Sequence, residues 1–155
     1  MHNDHTPEEL QEAVREIIVE RIPFNRMLGV ELEECDTEHA VVRLDMRPEF
    51  VGNYVRGVMH GGVISSVLDV TGGLVALLGV IERTRSGKLA EKLARFERLG
   101  TIDLRVDFLR PGDGDYYLAK GYLLRTGSRV AVTRMELHND AGVLIAVGTG
   151  AYVVS

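Results

Sequence analysis

From Gly57 to Ile81 the chain reads GVMHGGVISSVLDVTGGLVALLGVI, a run that is almost wholly apolar and too long for a single strand. A segment of this kind either crosses a bilayer or is a helix sheathed by the rest of its own fold. His60, Ser65, Ser66 and Asp69 all lie inside it, and each is poorly accommodated in lipid without partners. A covered central helix with no membrane span is therefore expected. Asp69 is set among Val, Ile and Leu, where desolvation penalises its charge unless other groups hydrogen-bond or use it. That makes it the first candidate for chemistry.

The remaining sequence builds a fold around such a helix. With 155 residues, 45% of them hydrophobic and 26% charged, one globular core is expected. Thr6-Pro7-Glu8-Glu9 opens an amphipathic helix with a capping box. GVELEEC and HAVVRLDM, broken by Asp36-Thr37-Glu38, read as a hairpin, and 48–56 as a loop. Residues 82–98 are charged with a weak helical period in Leu89, Leu93 and Phe96, a surface insert or lid. In the last third, Ile102, Leu104, Val106 and Phe108 alternate with polar residues, and further strands cover 117–125, 129–137 and 143–154. A long helix followed by antiparallel strands predicts an α+β arrangement with the sheet wrapped around the helix.

The formal charge of −5 argues against a general nucleic-acid binder. Cys35 stands alone, so no disulfide framework is expected and a reducing, cytoplasmic setting suits the chain; no secretory signal is read at MHNDHTPEELQE. His2, His5, His39, His60 and His138 show no metal-ligand spacing, and no metal is expected.

HGGVISSVLD with its acid nine residues after the histidine, then TIDLRVDFLRP, then GSRVA and the closing GVLIAVGTGAY, resemble in this order the hotdog-fold thioesterases of the PaaI-like acyl-CoA thioesterase family, within the 4-hydroxybenzoyl-CoA thioesterase superfamily. The resemblance covers roughly residues 24 to 154. It implies a hotdog fold, an antiparallel sheet of five to six strands around a long central helix, with 1–23 as an N-terminal helical extension, 24–155 as the thioesterase domain and an extra helical insert. It implies an acyl-CoA thioesterase needing no cofactor, coenzyme A being part of the substrate. A homodimer or dimer of dimers with sites shared between subunits is also implied. Asn53 resembles the family's substrate-positioning asparagine, and Thr101 its hydroxyl residue beside the acid.

The residues fit that chemistry on physical grounds. At a helix start, the amides of Gly61 and Gly62 are unpaired donors at the positive end of the dipole and suit an oxyanion. His60 stands at the mouth, and Asp69 is either a general base for water or a nucleophile. Nine helical residues separate His60 from Asp69 by about 13 Å and turn them to opposite sides, so one helix cannot bring both to one carbonyl. Two antiparallel helices in a two-fold dimer can. Val63, Val67, Leu68 and Leu74 are the expected lining of an aliphatic acyl tunnel, with Ser65 beside it. Arg56, Arg105, Arg125 and Arg129, with Ser128 in its turn, are candidates for the phosphates of coenzyme A, as is the basic stretch holding Lys88, Lys92 and Arg95. Gly72-Gly73 is expected at close helix packing on a dimer axis. A hotdog enoyl-CoA hydratase and a non-catalytic acyl-CoA-binding module are the rival readings.

Overall fold

A computed structural model describes residues 5–84 and 86–155. Thr6 caps α1 (Pro7–Arg15): its hydroxyl accepts from the Glu9 amide at 3.1 Å while its own amide donates to the Glu9 carboxylate at 2.8 Å. A wide π-type turn follows over Glu16–Arg21, and Pro23 starts the short α2 (Pro23–Leu28), which Gly29 ends in the left-handed region at φ 76°. The strands are β1 (Glu31–Cys35), β2 (His39–Asp45), β3 (Val51–Asn53) and β4 (Val58–Met59). The expected 48–56 loop thus contains a 3-10 turn at Pro48–Phe50 and, in β3, half of a small two-stranded ribbon with β4. The central helix α3 spans Gly61–Arg83; the insert holds α4 (Leu89–Leu93) and a 3-10 turn, Ala94–Arg98. The chain closes with β5 (Gly100–Phe108), β6 (Tyr116–Thr126), β7 (Val130–Asn139) and β8 (Leu144–Val153).

Six strands form one antiparallel sheet in the order β1-β2-β6-β7-β8-β5. It wraps α3, from Gly72 to Ile81 of which every residue is buried. By length and composition α3 would cross a membrane, but 78% of its most apolar stretch is buried in the fold. Its hydrophobicity all round is that of a core helix. Leu10, Val14 and Ile18 belong to the same core cluster as Leu68, Leu74 and Leu78, so the N-terminal segment is packed into the domain.

Helix and sheet approach closely because glycines open the way. A Cβ at Gly121 of β6 would lie 2.8 Å from the Val75 side chain and 2.9 Å from that of Thr71. Gly72 faces the sheet, where a Cβ would meet the Tyr152 hydroxyl at 2.3 Å and Met135 at 2.9 Å. Gly72 thus serves packing of the helix against the sheet within the chain. Gly121→Val should lower unfolding stability by about 1–3 kcal/mol in urea titrations, because overpacking this contact forces α3 off the sheet.

Candidate active site

Asp69 lies where α3 passes beneath β5 and β8. It is half-buried, not enclosed in aliphatic side chains as its sequence neighbours imply, because its face of the helix meets hydroxyls. Thr101 Oγ1 donates towards both carboxylate oxygens, at 3.0 and 3.2 Å, and the Tyr152 hydroxyl donates to Oδ1 at 3.1 Å. Burial first, and then the Asp69 charge, push the Tyr152 phenol far above its ordinary pKa, so it remains a donor.

Strand register creates this pair of donors. Thr101 of β5 is directly opposite Tyr152 of β8, and the register shifts between Thr101 and Asp103. Strict alternation would turn Ile102 inward with Leu104 and Val106. The irregularity leaves Ile102 outside the pairing and 56% exposed, and Thr101 takes the position facing the helix. Room for the Tyr152 ring comes from Gly150, where a Cβ would meet it at 2.6 Å, and from Gly72 on the helix. The Gly-rich GTGAY ending was the sequence signal for Tyr152, which alternation alone does not single out.

A cavity of about 260 Å³ opens beside the carboxylate. Ile18, Ile22, Phe24, Leu74, Phe96 and Leu99 supply its apolar walls, and Asn25, Ser66 and Thr101 line it as well. Of the expected tunnel residues only Leu74 is there. Val67 and Leu68 are fully buried in the core, and Val63 does not line the cavity. Ser66 rather than Ser65 lines it; both hydroxyls donate back to helix carbonyls, Ser65 to Gly61 at 2.9 Å and Ser66 to Gly62 at 2.7 Å. The walls from the N-terminal segment and Phe96 of the insert were not assigned from the sequence. Their only signal was an apolar period in segments peripheral to the family motifs.

The start of α3 forms a separate opening, lined by Gly52, Asn53, Tyr54, Val58, Met59, His60 and Gly61. His60 caps the helix: its Nδ1 accepts from the Gly62 amide at 2.8 Å. This corrects the expectation for Gly62, whose N–H is spent on the cap. An accepting Nδ1 also places the proton of the neutral ring on Nε2, making that atom a donor. The Gly61 amide, at the first helical position, has no hydrogen-bond partner among the described residues. Phe108 packs on Gly61, where a Cβ would lie 3.3 Å from the ring. Asn53 Oδ1 accepts from the amides of Val55 and Arg56 at 3.1 and 3.2 Å, which fixes the β3–β4 turn and braces Asn53 at the lining of the opening.

Within the chain the two openings share no lining residue: Asp69, Thr101 and Tyr152 lie at one, His60, Gly61 and Asn53 at the other. Arg56 is exposed on the turn next to the second opening. Arg125 and Arg129 are exposed and line neither, and Arg105 pairs with Asp107 at 3.3 Å. Ser128 lines a polar cleft of about 360 Å³ with Arg83 and Arg95 at the far end of α3. Lys92 is buried rather than presented to solvent. Among the described residues no group of three or more His, Cys, Asp or Glu could hold a metal; His2 lies outside them.

Residues 56–146 match the family model of the thioesterase superfamily. The chain is 45% identical over 149 residues to the medium/long-chain acyl-CoA thioesterase YigI of Escherichia coli K12, covering 96% of each protein. It is 44% identical over the same length to its Salmonella typhimurium namesake, again covering 96% of each. A crystal structure from Shewanella oneidensis, described as related to the thioesterase superfamily, superposes with a TM-score of 0.89 at 42% identity, covering 96% of this chain and 97% of that one. With its helix-wrapping sheet and this similarity over nearly its whole length, the chain belongs to the hotdog-fold thioesterase superfamily.

Proposed function

We propose that the protein hydrolyses medium- to long-chain fatty acyl-CoA to the free acid and coenzyme A, with Asp69 as the base that activates water. The observation that carries this reading is the Asp69 carboxylate, held by Thr101 and Tyr152 at the edge of a largely apolar cavity. The name of the similar Escherichia coli protein supports the chain-length class. Asp69 takes a proton as the water oxygen attacks the thioester carbonyl carbon. The carbonyl oxygen becomes an oxyanion facing the free amide of Gly61, with the Nε2–H of His60 as a second donor. Collapse breaks the C–S bond, the electron pair goes to sulfur, and the thiolate takes back the proton held by Asp69 and leaves as the free thiol. The hydroxyl donors on Asp69 fix the orientation of its carboxylate at the edge of the cavity.

Both parts reach one carbonyl only if Gly61 comes from a second subunit, so the site is proposed to be shared in a homodimer, and a dimer of dimers is compatible. Edge strand β5 supports this: among the described residues it pairs with β8 alone, and Ile102 and Phe108 on it and Leu109 just after it are exposed. Arg56, exposed beside the Gly61 opening, is proposed to meet a phosphate of coenzyme A at the mouth. Arg125, Ser128 and Arg129 are kept as phosphate contacts only for a tail that crosses to the neighbouring subunit.

Asp69→Asn should lower kcat for thiol release from dodecanoyl-CoA by about two to four orders of magnitude. Thr101→Val and Tyr152→Phe should each lower it about ten- to a hundredfold with unchanged thermal unfolding. Subunit sharing has its own test. Gly61→Pro removes the amide at a first-turn position that suits proline, and His60 at φ −64°, ψ 135° already has the backbone a residue before proline requires. Gly61→Pro and Asp69→Asn are each expected to be nearly inactive, and mixed subunits should regain activity through one intact site; no recovery in verified heterodimers would contradict sharing. Arg56→Ala should raise KM for acyl-CoA about tenfold and leave an acyl-pantetheine thioester, which lacks the nucleotide, unaffected.

A further inference from the structure

Two adjacent stripes run along the N-terminal segment. Val14, Ile18 and Ile22, spaced by four, face inward, and Ile18 and Ile22 reach the Asp69 cavity. Ala13, Ile17 and Arg21, with the same spacing one residue earlier, line a different cavity of about 440 Å³. Its other wall is the insert, through Ala90, Leu93, Ala94, Phe96 and Glu97. Arg21 and Glu16 pair at the rim at 3.4 Å, leaving a floor of alanine, leucine, isoleucine and phenylalanine.

Phe96 lines both cavities. It sits half-buried in the 3-10 turn that ends the insert, and that turn is fastened by the Leu99 amide donating to the Phe96 carbonyl at 3.0 Å. The side chain is therefore a partition between the 260 Å³ space beside Asp69 and the 440 Å³ groove outside it. Alanines at 13, 90 and 94 keep the groove open beside Glu16, Arg21 and Glu97, and a hydrocarbon is the chemistry that fits the surface of alanine, isoleucine, leucine and phenylalanine.

We infer that the groove between the N-terminal segment and the insert is the distal acyl site, and that Phe96 is the residue that sets the preferred chain length. This rests on the thioesterase reading for the position of the thioester end. Shorter chains end against the Phe96 ring, and longer ones must displace it to lie along Ile17 and Leu93.

The test is the chain-length profile of kcat/KM for octanoyl-, dodecanoyl-, palmitoyl- and stearoyl-CoA, with binding of the corresponding non-hydrolysable thioethers. Each methylene admitted to apolar surroundings is worth about fourfold, so Phe96→Ala should raise palmitoyl and stearoyl relative to octanoyl by about tenfold or more. Ala90→Phe fills the groove from the side away from Asp69 and should weaken binding and turnover of the two longest chains by about tenfold while leaving octanoyl unchanged. A Phe96→Ala profile parallel to that of the unaltered protein, or an Ala90→Phe effect equal at all lengths, would overturn the assignment. If the unaltered protein binds the thioethers but releases no thiol, the thioesterase reading fails instead, and the binding series still decides the groove.

Discussion

The carboxylate of Asp69 is where the covered helix meets the last strands, and much of the architecture can be read as what is needed to hold it. A charged group on a core helix is tolerated only with compensating donors. Thr101 and Tyr152 supply them from a cross-strand pair, so the site depends on the β5–β8 register. A slip of one residue would turn both donors away from the helix. The irregularity at Ile102 fixes that phase, and Gly72 and Gly150 clear the space the Tyr152 ring occupies. Each local departure from regular structure near the site thus serves the same contact.

The helix start has a complementary logic. His60 uses its side chain to satisfy Gly62, and this leaves Gly61 alone with a free amide next to the dipole's positive end. One donor is thereby singled out from the several orphans of a helix terminus. The same cap sets the ring of the histidine: with Nδ1 accepting from Gly62, the outward nitrogen of the neutral ring is a donor.

The fold was largely legible because its signals are periodic and local. The Thr6–Glu9 box, the apolar run from Gly61 and the alternating strands all reappear with boundaries shifted by a few residues. Asp69 and Thr101 were legible as a pair through the family resemblance, and the 3.0 Å hydrogen bond between them is consistent with that pairing. What escaped depends on contacts across the sheet. Helical neighbours in sequence are not neighbours in space, so the aliphatic residues around Asp69 gave the wrong surroundings. The bulge at Ile102 broke an alternation that sequence had no reason to interrupt. Tyr152 and the Ser66-for-Ser65 exchange follow from which helix face meets which strand, and that is set only when both are packed.

The acyl walls show a different kind of concealment. The residues proposed for catalysis sit on α3 and β5, elements whose positions the core enforces, whereas Ile18, Ile22, Phe24 and Phe96 come from the N-terminal segment and the insert. These peripheral pieces are anchored by an inner stripe, Leu10, Val14 and Ile18 among it, while Ile17, Leu93 and Phe96 pack only partly buried against the same core and line a cavity. Substitutions on the outer stripe change volume without touching Asp69, Thr101 or Tyr152. On the proposed reading the architecture places chemistry and chain-length selection on different elements: the first is bound to the β5–β8 register, and the second to partly buried surfaces of the N-terminal segment and the insert.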